Sequence, residues 1–393
     1  MNNDKLNLAL ERFVRRFEEF NTEVLEEFGK TISKFDGLTA SQAHKLAQQL
    51  KNGRDIDKIL SDLERISELS KKDIEDLLEI TAKENINFAN TYYEAKKMEK
   101  ISYETSKQFQ DIVKAVEKMT KAEFTNLSRT TALKLLKDNG KPLYLDIKKA
   151  YNEVIDRCVL AVATGQTNYQ KAMYDTIKQL SSSGVKKVYY DNEGKRAYAR
   201  RLDSSVRMNI LDGVRQVNIG VQEQVGKEFG ADGVEVSHHV NCAPDHIHID
   251  GQQFSKKKFE KINNNLTRPV ASMNCRHFVF SIVLGVSSPL YTKKQLEQDR
   301  KNNEKGFEYE GKHYTLYEGE QLQRKIELAV RQQKDLQIIA KASNDKDTIS
   351  KSQSNITQLT QKYKELSKIS GLPTKMDRMR VVGYQRVNVN KLK

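Results

Sequence analysis

Five of the seven histidines and two of the three cysteines of this 393-residue chain fall between His238 and His277. The first stretch reads His238-His239-Val240-Asn241-Cys242-Ala243-Pro244-Asp245-His246-Ile247-His248-Ile249-Asp250-Gly251, and further on comes Asn274-Cys275-Arg276-His277. Elsewhere only His44, His313 and Cys158 occur. Imidazole and thiolate are ligands for zinc and other borderline metals, whereas hard cations want oxygen. Side chains two apart on a strand share a face. That rule places Cys275 beside His277, and His246 beside His248. A thiolate and an imidazole on one face make half of a tetrahedral zinc site. The other half is expected from the segment between His238 and His246. The preferred ligand set is His239, His246, Cys275 and His277, with Cys242 as the substitute, since Cys242-x3-His246 is also a metal-like spacing. Such a metal is expected to be structural, because a small domain gains from a clamp. The competing reading is a metal-free lattice of histidines and carboxylates that fixes two loops, with Cys275 simply buried.

Two catalytic uses stand against these. Paired histidines with Asp245 or Asp250 have a loose likeness to HNH-type metal nucleases, in which a histidine activates water against a metal-held phosphodiester. That arrangement needs a hairpin followed by a helix carrying the last ligand, and here His277 runs into the apolar stretch Phe278 to Leu284. A thiol nucleophile needs a base held by a third group. No such group is visible at a known spacing.

The elements that must position the cluster differ on its two sides. The first 141 residues contain no proline, so nothing there breaks a helix. Phe13, Phe17, Phe20 and Val24 recur at helical spacing, as do Ile56, Ile59, Leu60 and Leu63. Gly29, Gly37, Gly53 and Gly140 mark breaks, and Thr39, Ser41 and Asp55 are candidate caps. Helices are expected from residue 4 to about 180, with His44 structural. Ser181-Ser182-Ser183-Gly184 reads as a boundary. Val185 to Tyr190 and Arg196 to Arg201 flank Asp191-Asn192-Glu193-Gly194, a hairpin pattern. A helix capped by Asp203 or Ser204 should run to about Lys227 and stop by Gly230. Val234 to Ser237 and Phe278 to Leu284 are strand candidates on either side of the cluster. Beyond Lys293 helix returns, interrupted by the turn Tyr309-Glu310-Gly311-Lys312. Leu322, Ile326, Ala329 and Leu336 form one stripe, and Ile356, Leu359, Tyr363 and Leu366 another. Two heptads are too few for a coiled coil but suit an antiparallel pair. Gly371-Leu372-Pro373 ends the last helix.

The expected fold is therefore mainly α with a small α+β domain. Residues 1–180 form a helical N-terminal region, residues 181–292 the domain with the His/Cys cluster, and residues 293–393 a helical hairpin with a basic tail.

Of all residues 37% are hydrophobic and 31% charged, which favours elongated helical parts over one large core. Three cysteines cannot build a disulfide framework and suit a reducing compartment. No run approaches the ~20 apolar residues of a membrane span, and Met1-Asn2-Asn3-Asp4-Lys5 lacks a signal pattern. Net charge is +14 with pI near 9.3, which favours an anionic partner. Lys186, Lys187, Lys195, Arg196, Arg200, Arg201, Arg207 and Arg215 concentrate on the expected hairpin and the helix after it, among Tyr189, Tyr190 and Tyr198. They are candidates for phosphate neutralisation on DNA or, equally, for pairing with acidic faces of protein partners. The tail from Thr374 to Lys393 poses the same choice.

Ordered blocks around the cluster resemble the phage minor capsid proteins of the minor-capsid-2 type, distant relatives of the Mu-F-like head morphogenesis proteins. They are Val206-Arg207-Met208 with Asp212-Gly213-Val214-Arg215-Gln216; Gly230-Ala231-Asp232-Gly233-Val234-Glu235-Val236-Ser237; His239 with Pro244-Asp245-His246 and Gly251-Gln252; and Asn274-Cys275-Arg276-His277 before Leu284-Gly285-Val286-Ser287. Downstream come Tyr309-Glu310-Gly311-Lys312, Tyr314-Thr315-Leu316-Tyr317-Glu318, Gln321-Leu322-Gln323-Arg324 and Met376-Asp377-Arg378-Met379-Arg380-Val381. The likeness covers about residues 180 to 385, and no motif is placed before it.

The resemblance implies a low-copy virion protein made in the host cytoplasm. It would be associated with the portal or capsid interior and linked to head assembly, packaging or delivery of double-stranded DNA. It implies a structural, non-enzymatic role with no small-molecule substrate; the alternative is an HNH-like metal-dependent nuclease acting on phage DNA. Motif positions carry over to His239, Asp245, His246, Gly251, Asn274, Cys275, Arg276 and His277. Asp245, Gly251, Asn274 and Arg276 are expected to form a structural polar cluster around the ligands. Cys242 and His248 stand where the family pattern makes no demand. No toxin or enzyme domain is expected after the tail.

Overall fold

The computed structural model describes residues 3–388 except 96, 126, 138, 182, 183, 192, 273, 274 and 276. Asn274 and Arg276 of the expected polar cluster, and Lys391 and Lys393 of the basic tail, lie outside the described residues.

The N-terminal part is helical for the reason its periodicity gives. Helix α1 (Asn3–Ser33) turns Phe13, Phe17, Phe20, Val24 and Phe28 onto one fully buried stripe. Helix α2 (Ala40–Lys51) begins with a capping box between Thr39 and Gln42, which satisfies two backbone N–H groups that the first turn leaves open. Helix α3 (Asp55–Ala95) is the longest, 41 residues and so roughly 60 Å, and α4 (Lys107–Ala122) packs along it.

Two strands then interrupt the region expected to be all helix. After the short α5 (Leu127–Thr130), β1 (Thr131–Leu136) pairs antiparallel with β2 (Pro142–Asp146). The signal was present in Asn139-Gly140, a hairpin dipeptide with Gly140 at φ +74°, and in the alternation of buried Leu133 and Leu135 with half-buried Lys134. Helices α6 (Ile147–Ala163) and α7 (Gln166–Ser181) follow. Strands β3 (Lys186–Tyr190) and β4 (Arg196–Arg201) form the expected hairpin, with a bulge at Tyr189/Tyr190. Because β1 also pairs β3, the four strands make one sheet in the order β2-β1-β3-β4. The break expected near residue 181 therefore falls inside a single sheet.

Helix α8 (Leu202–Glu228) has Arg201 at its N-cap position, two residues before the expected Asp203 and three before Ser204. Asp203 is instead buried and paired with Arg201 and Arg331. Its Val206, Ile210, Val214, Val217 and Val221 join the apolar cluster that α1, α3, α4, α6 and α7 build.

A second, three-stranded antiparallel sheet contains β5 (Gly233–Val236), β6 (Gln253–Ser255) and β7 (Val279–Ile282), with β5 in the centre. Helix α9 (Lys256–Asn264) follows β6. Helix α10 (Lys293–Lys305) then leads into the hairpin of β8 (Phe307–Tyr309) and β9 (Lys312–Tyr314), whose turn holds Glu310 and Gly311 at positive φ. Helices α11 (Leu316–Ala342) and α12 (Lys346–Ser370) pack along one another and bury Ile326, Val330, Ile356, Tyr363 and Leu366. Gly371 at φ +69° ends α12. These C-terminal helices are not a free arm. Asp335 of α11 accepts hydrogen bonds from Asn21 of α1 and Arg201 of β4, and Leu336, Ile338 and Ile339 join the N-terminal core. Among the described residues no helix is long and apolar enough to cross a membrane.

Candidate metal centre

Strand pairing brings the two halves of the His/Cys cluster together. In the small sheet Glu235 of β5 faces Gln253 of β6, and Val236 faces Val279 of β7. Antiparallel pairing therefore sets the residues just after β5, just before β6 and just before β7 at one end of the sheet. Those residues are His238 and His239, Asp250, and Cys275 and His277. Backbone bonds extend the ladder: Val236 N–H donates to the Gln252 carbonyl at 3.0 Å and Ser237 N–H to the Phe278 carbonyl at 2.9 Å. Between β5 and β6 a short 3-10 turn, Pro244–His246, carries His246 inward.

His246, Cys275 and His277 are all buried, and their ligand atoms lie within 4.8 Å of one another. Cys275 Sγ is 3.4 Å from His277 Nδ1 and 3.9 Å from His246 Nδ1. The outward nitrogen of each ring faces an acceptor: His246 Nε2 lies 2.7 Å from the Arg268 carbonyl, and His277 Nε2 lies 3.0 Å from Asp250 Oδ1. Both acceptors call for N–H on the outer nitrogen. In the neutral ring that leaves the Nδ1 lone pair facing the thiol. This is the outer-shell arrangement that orients metal-ligating histidines.

Asp250 is the hub of the second layer. It accepts from His277 Nε2, from His238 Nδ1 at 2.6 Å and from the His239 backbone N–H at 2.8 Å. The other nitrogen of His238 lies 3.0 Å from Asp299 of α10. Arg215 of α8 donates to the Cys275 carbonyl, which ties the centre to the helical core. Arg300 donates to the Ile247 carbonyl at 2.7 Å.

Charge follows from these contacts. Burial pushes the Cys275 thiol up, but the His277 hydrogen bond and backbone N–H groups outweigh it, so its pKa falls below the ordinary value. For His277 burial pushes down, yet Asp250 and Cys275 raise it to about 9. Burial dominates at His246 and lowers it, favouring a neutral ring. Burial raises Cys242 to about 12, with Asp250 adding to it.

Of the expected ligands, His239 stands beside the three-donor group rather than in it. Its ring packs edge-on against His277 at 4.7 Å between centroids, and with Cys242 it lines a cavity of about 240 Å³ that the three donors also border. Asp245 pairs with Arg268 at 3.3 Å, and Gly251 turns the chain after Asp250 at φ +67°. His248 is exposed. Sequence reasoning assigns no role to His238, Asp299 or Arg268, and it singles out Asp250 only for a likeness to nuclease sites. Nothing in the spacing marks Asp250 as a hub, because acidic residues are common throughout the chain. It also supplies the third group that a Cys275–His277 pair lacked in the sequence.

The basic residues divide by burial. Lys187, Arg201 and Arg215 are buried at 6–7% exposure. Lys187 bonds the Glu123 carboxylate and carbonyl, Arg201 bonds Asp335, and Arg215 bonds Asp212 and the Cys275 carbonyl. These three are engaged within the fold. Lys195, Arg196 and Arg207 are exposed, and Lys186 and Arg200 half-buried. Arg196 lies over the Tyr144 ring at 4.0 Å and Arg200 over Tyr198 at 5.2 Å.

A mainly helical chain with a buried His/Cys knot on a small sheet is the class of protein that fold and site define. The chain belongs to the phage minor capsid protein 2 family, whose model matches residues 1–367. The match includes the N-terminal helices, where the sequence offered no motif to place. No curated protein and no solved structure matches the chain. Family membership makes it a structural protein of the phage head.

Proposed function

We propose that the chain is a low-copy head component held in shape by a structural zinc ion on His246, Cys275 and His277. The observation that carries this reading is that both imidazoles have their outer nitrogens on acceptors and turn Nδ1 toward one sulfur. A thiol nucleophile needs only one inward imidazole; a second one aimed at the same sulfur favours coordination. A nuclease of the HNH kind carries its last ligand on a helix, whereas His277 leads into β7. That order favours a clamp over a hydrolytic centre. When bound, the ion supplies a crosslink between the Pro244–His246 turn and the segment before β7. The chain's own residues orient the donors: Asp250 and the Arg268 carbonyl hold the rings, and Arg215 holds the Cys275 backbone.

The head partners follow from family and charge. Membership among minor capsid proteins supports a place at the portal or the inner capsid surface. The exposed Lys195, Arg196 and Arg207, with Lys186 and Arg200, support salt-sensitive contact with packaged duplex DNA. Metal analysis of purified protein tests the clamp: wild type is expected to carry about one zinc per chain and Cys275→Ser to lose it. A folded wild-type protein free of metal rejects it.

A further inference from the structure

The three donors do not complete a shell. Zinc and its analogues in protein sites take four ligands, and where the chain supplies three the fourth comes from outside it. Among the described residues, the His, Cys, Asp and Glu ligand atoms that converge within 4.8 Å are those of His246, Cys275 and His277 alone. Asp250 cannot serve from where it stands, because its carboxylate is on the far nitrogen of His277 and also holds His238 and the His239 N–H. All three donors border the cavity of about 240 Å³. Tyr317, Glu320 and Arg324 of α11 line it too, and of its lining residues Arg268 is half-buried and Val240 and Arg324 exposed.

We infer that the centre is an open one, whose remaining coordination position faces this cavity and takes an oxygen-donor anion from outside the chain. The inference rests on the metal reading above. The class of ligand follows from charge and size. A divalent ion with one thiolate and two neutral imidazoles keeps a net positive charge, and two guanidinium groups, Arg268 (paired with Asp245) and Arg324, line the cavity against one carboxylate, Glu320. A planar or tetrahedral oxyanion matches guanidinium forks. The space is large enough for a carboxylate or phosphate group. A head protein with such a position can receive a carboxylate side chain from a neighbouring subunit or a terminal phosphate.

Cobalt(II) substitution tests this directly, using the full chain with acetate and inorganic phosphate as separate probes. Cobalt should bind with a thiolate charge-transfer band, and its visible d–d bands should shift saturably on titration with one of the two anions. A shift with acetate alone assigns a carboxylate ligand, and a shift with phosphate alone a phosphate. A cobalt spectrum that neither anion alters overturns the open site while leaving the metal reading intact. The open site also falls if Cys242→Ser weakens the charge-transfer band, because Cys242 would then close the shell. Absence of cobalt uptake by folded protein removes the metal reading and the open site together.

Discussion

His277 and Asp250 are joined by a 3.0 Å contact between Nε2 and Oδ1, and this bond decides which nitrogen of His277 faces Cys275. The same carboxylate holds His238 and the His239 backbone. One acid thus fixes three segments: the exit of β5, the approach to β6 and the approach to β7. Asp250→Asn keeps the shape but weakens the acceptor. It is expected to lower zinc affinity by about 10- to 100-fold with little change in fold, measured by chelator competition and circular dichroism. Unchanged affinity would remove Asp250 from the ligand support.

The buried ion network between helices gives a second prediction. Arg201 bonds Asp335 and pairs with Asp203, which also holds Arg331. Asp335→Ala leaves a buried guanidinium short of an acceptor. Such losses cost about 3–5 kcal/mol, so urea unfolding should show a destabilisation of that order. A change below about 1 kcal/mol would mean that solvent replaces Asp335.

Stability should also depend on pH through Glu18. Burial, reinforced by the neighbouring Asp203, raises its carboxyl to about 7 despite the Arg331 guanidinium. A carboxyl whose folded value exceeds the unfolded one stabilises when protonated. Its contribution is complete below the ordinary carboxylate range and is lost as pH rises through about 7. The loss is on the order of 3 kcal/mol. Thermal melts of wild type should fall between pH 5 and 8 more steeply than those of Glu18→Gln. Parallel curves would contradict this.

Surface and interior cations should separate in DNA binding. Glutamine at Lys195, Arg196 and Arg207 is expected to leave the melting temperature nearly unchanged. Each such change should reduce the salt slope of duplex binding by about 1 where that residue meets a phosphate. Lys187→Gln should instead lower stability, because Lys187 satisfies the Glu123 carbonyl at 2.8 Å. No duplex binding by wild type at low salt would assign the surface to protein partners.

Gly306 stands between α10 and β8 at φ +48°, and a Cβ there would meet the Tyr314 carbonyl oxygen at 1.9 Å. Gly306→Ala is expected to break the β8–β9 hairpin. Soluble yield and melting temperature should both drop, and a wild-type melt would show that the backbone can move aside.

Patterns confined to one element were legible in the sequence. The aromatic stripe of α1, the β3–β4 hairpin and the Ile356–Leu366 seam of α12 each carry their own period. The β1–β2 hairpin was harder to read, since strands of six and five residues sit among long helical runs and only Asn139-Gly140 marks the turn. Burial of Lys187, Arg201 and Arg215 could not be read at all. Each is interior because of an acid or carbonyl distant in sequence, such as Asp335 for Arg201. Gathering of His246 with Cys275 and His277 was foreseeable from residue type. The exclusion of His239 from that group, and the part played by Asp250, depend on how two strands pair with β5.

X-ray absorption at the zinc edge of purified protein reads the donor atoms of the clamp themselves. The expected first shell holds one sulfur near ~2.3 Å and nitrogens near ~2.0 Å, with the sulfur signal lost in Cys275→Ser. A first shell of oxygen and nitrogen without sulfur, or folded protein with no zinc edge, would contradict it.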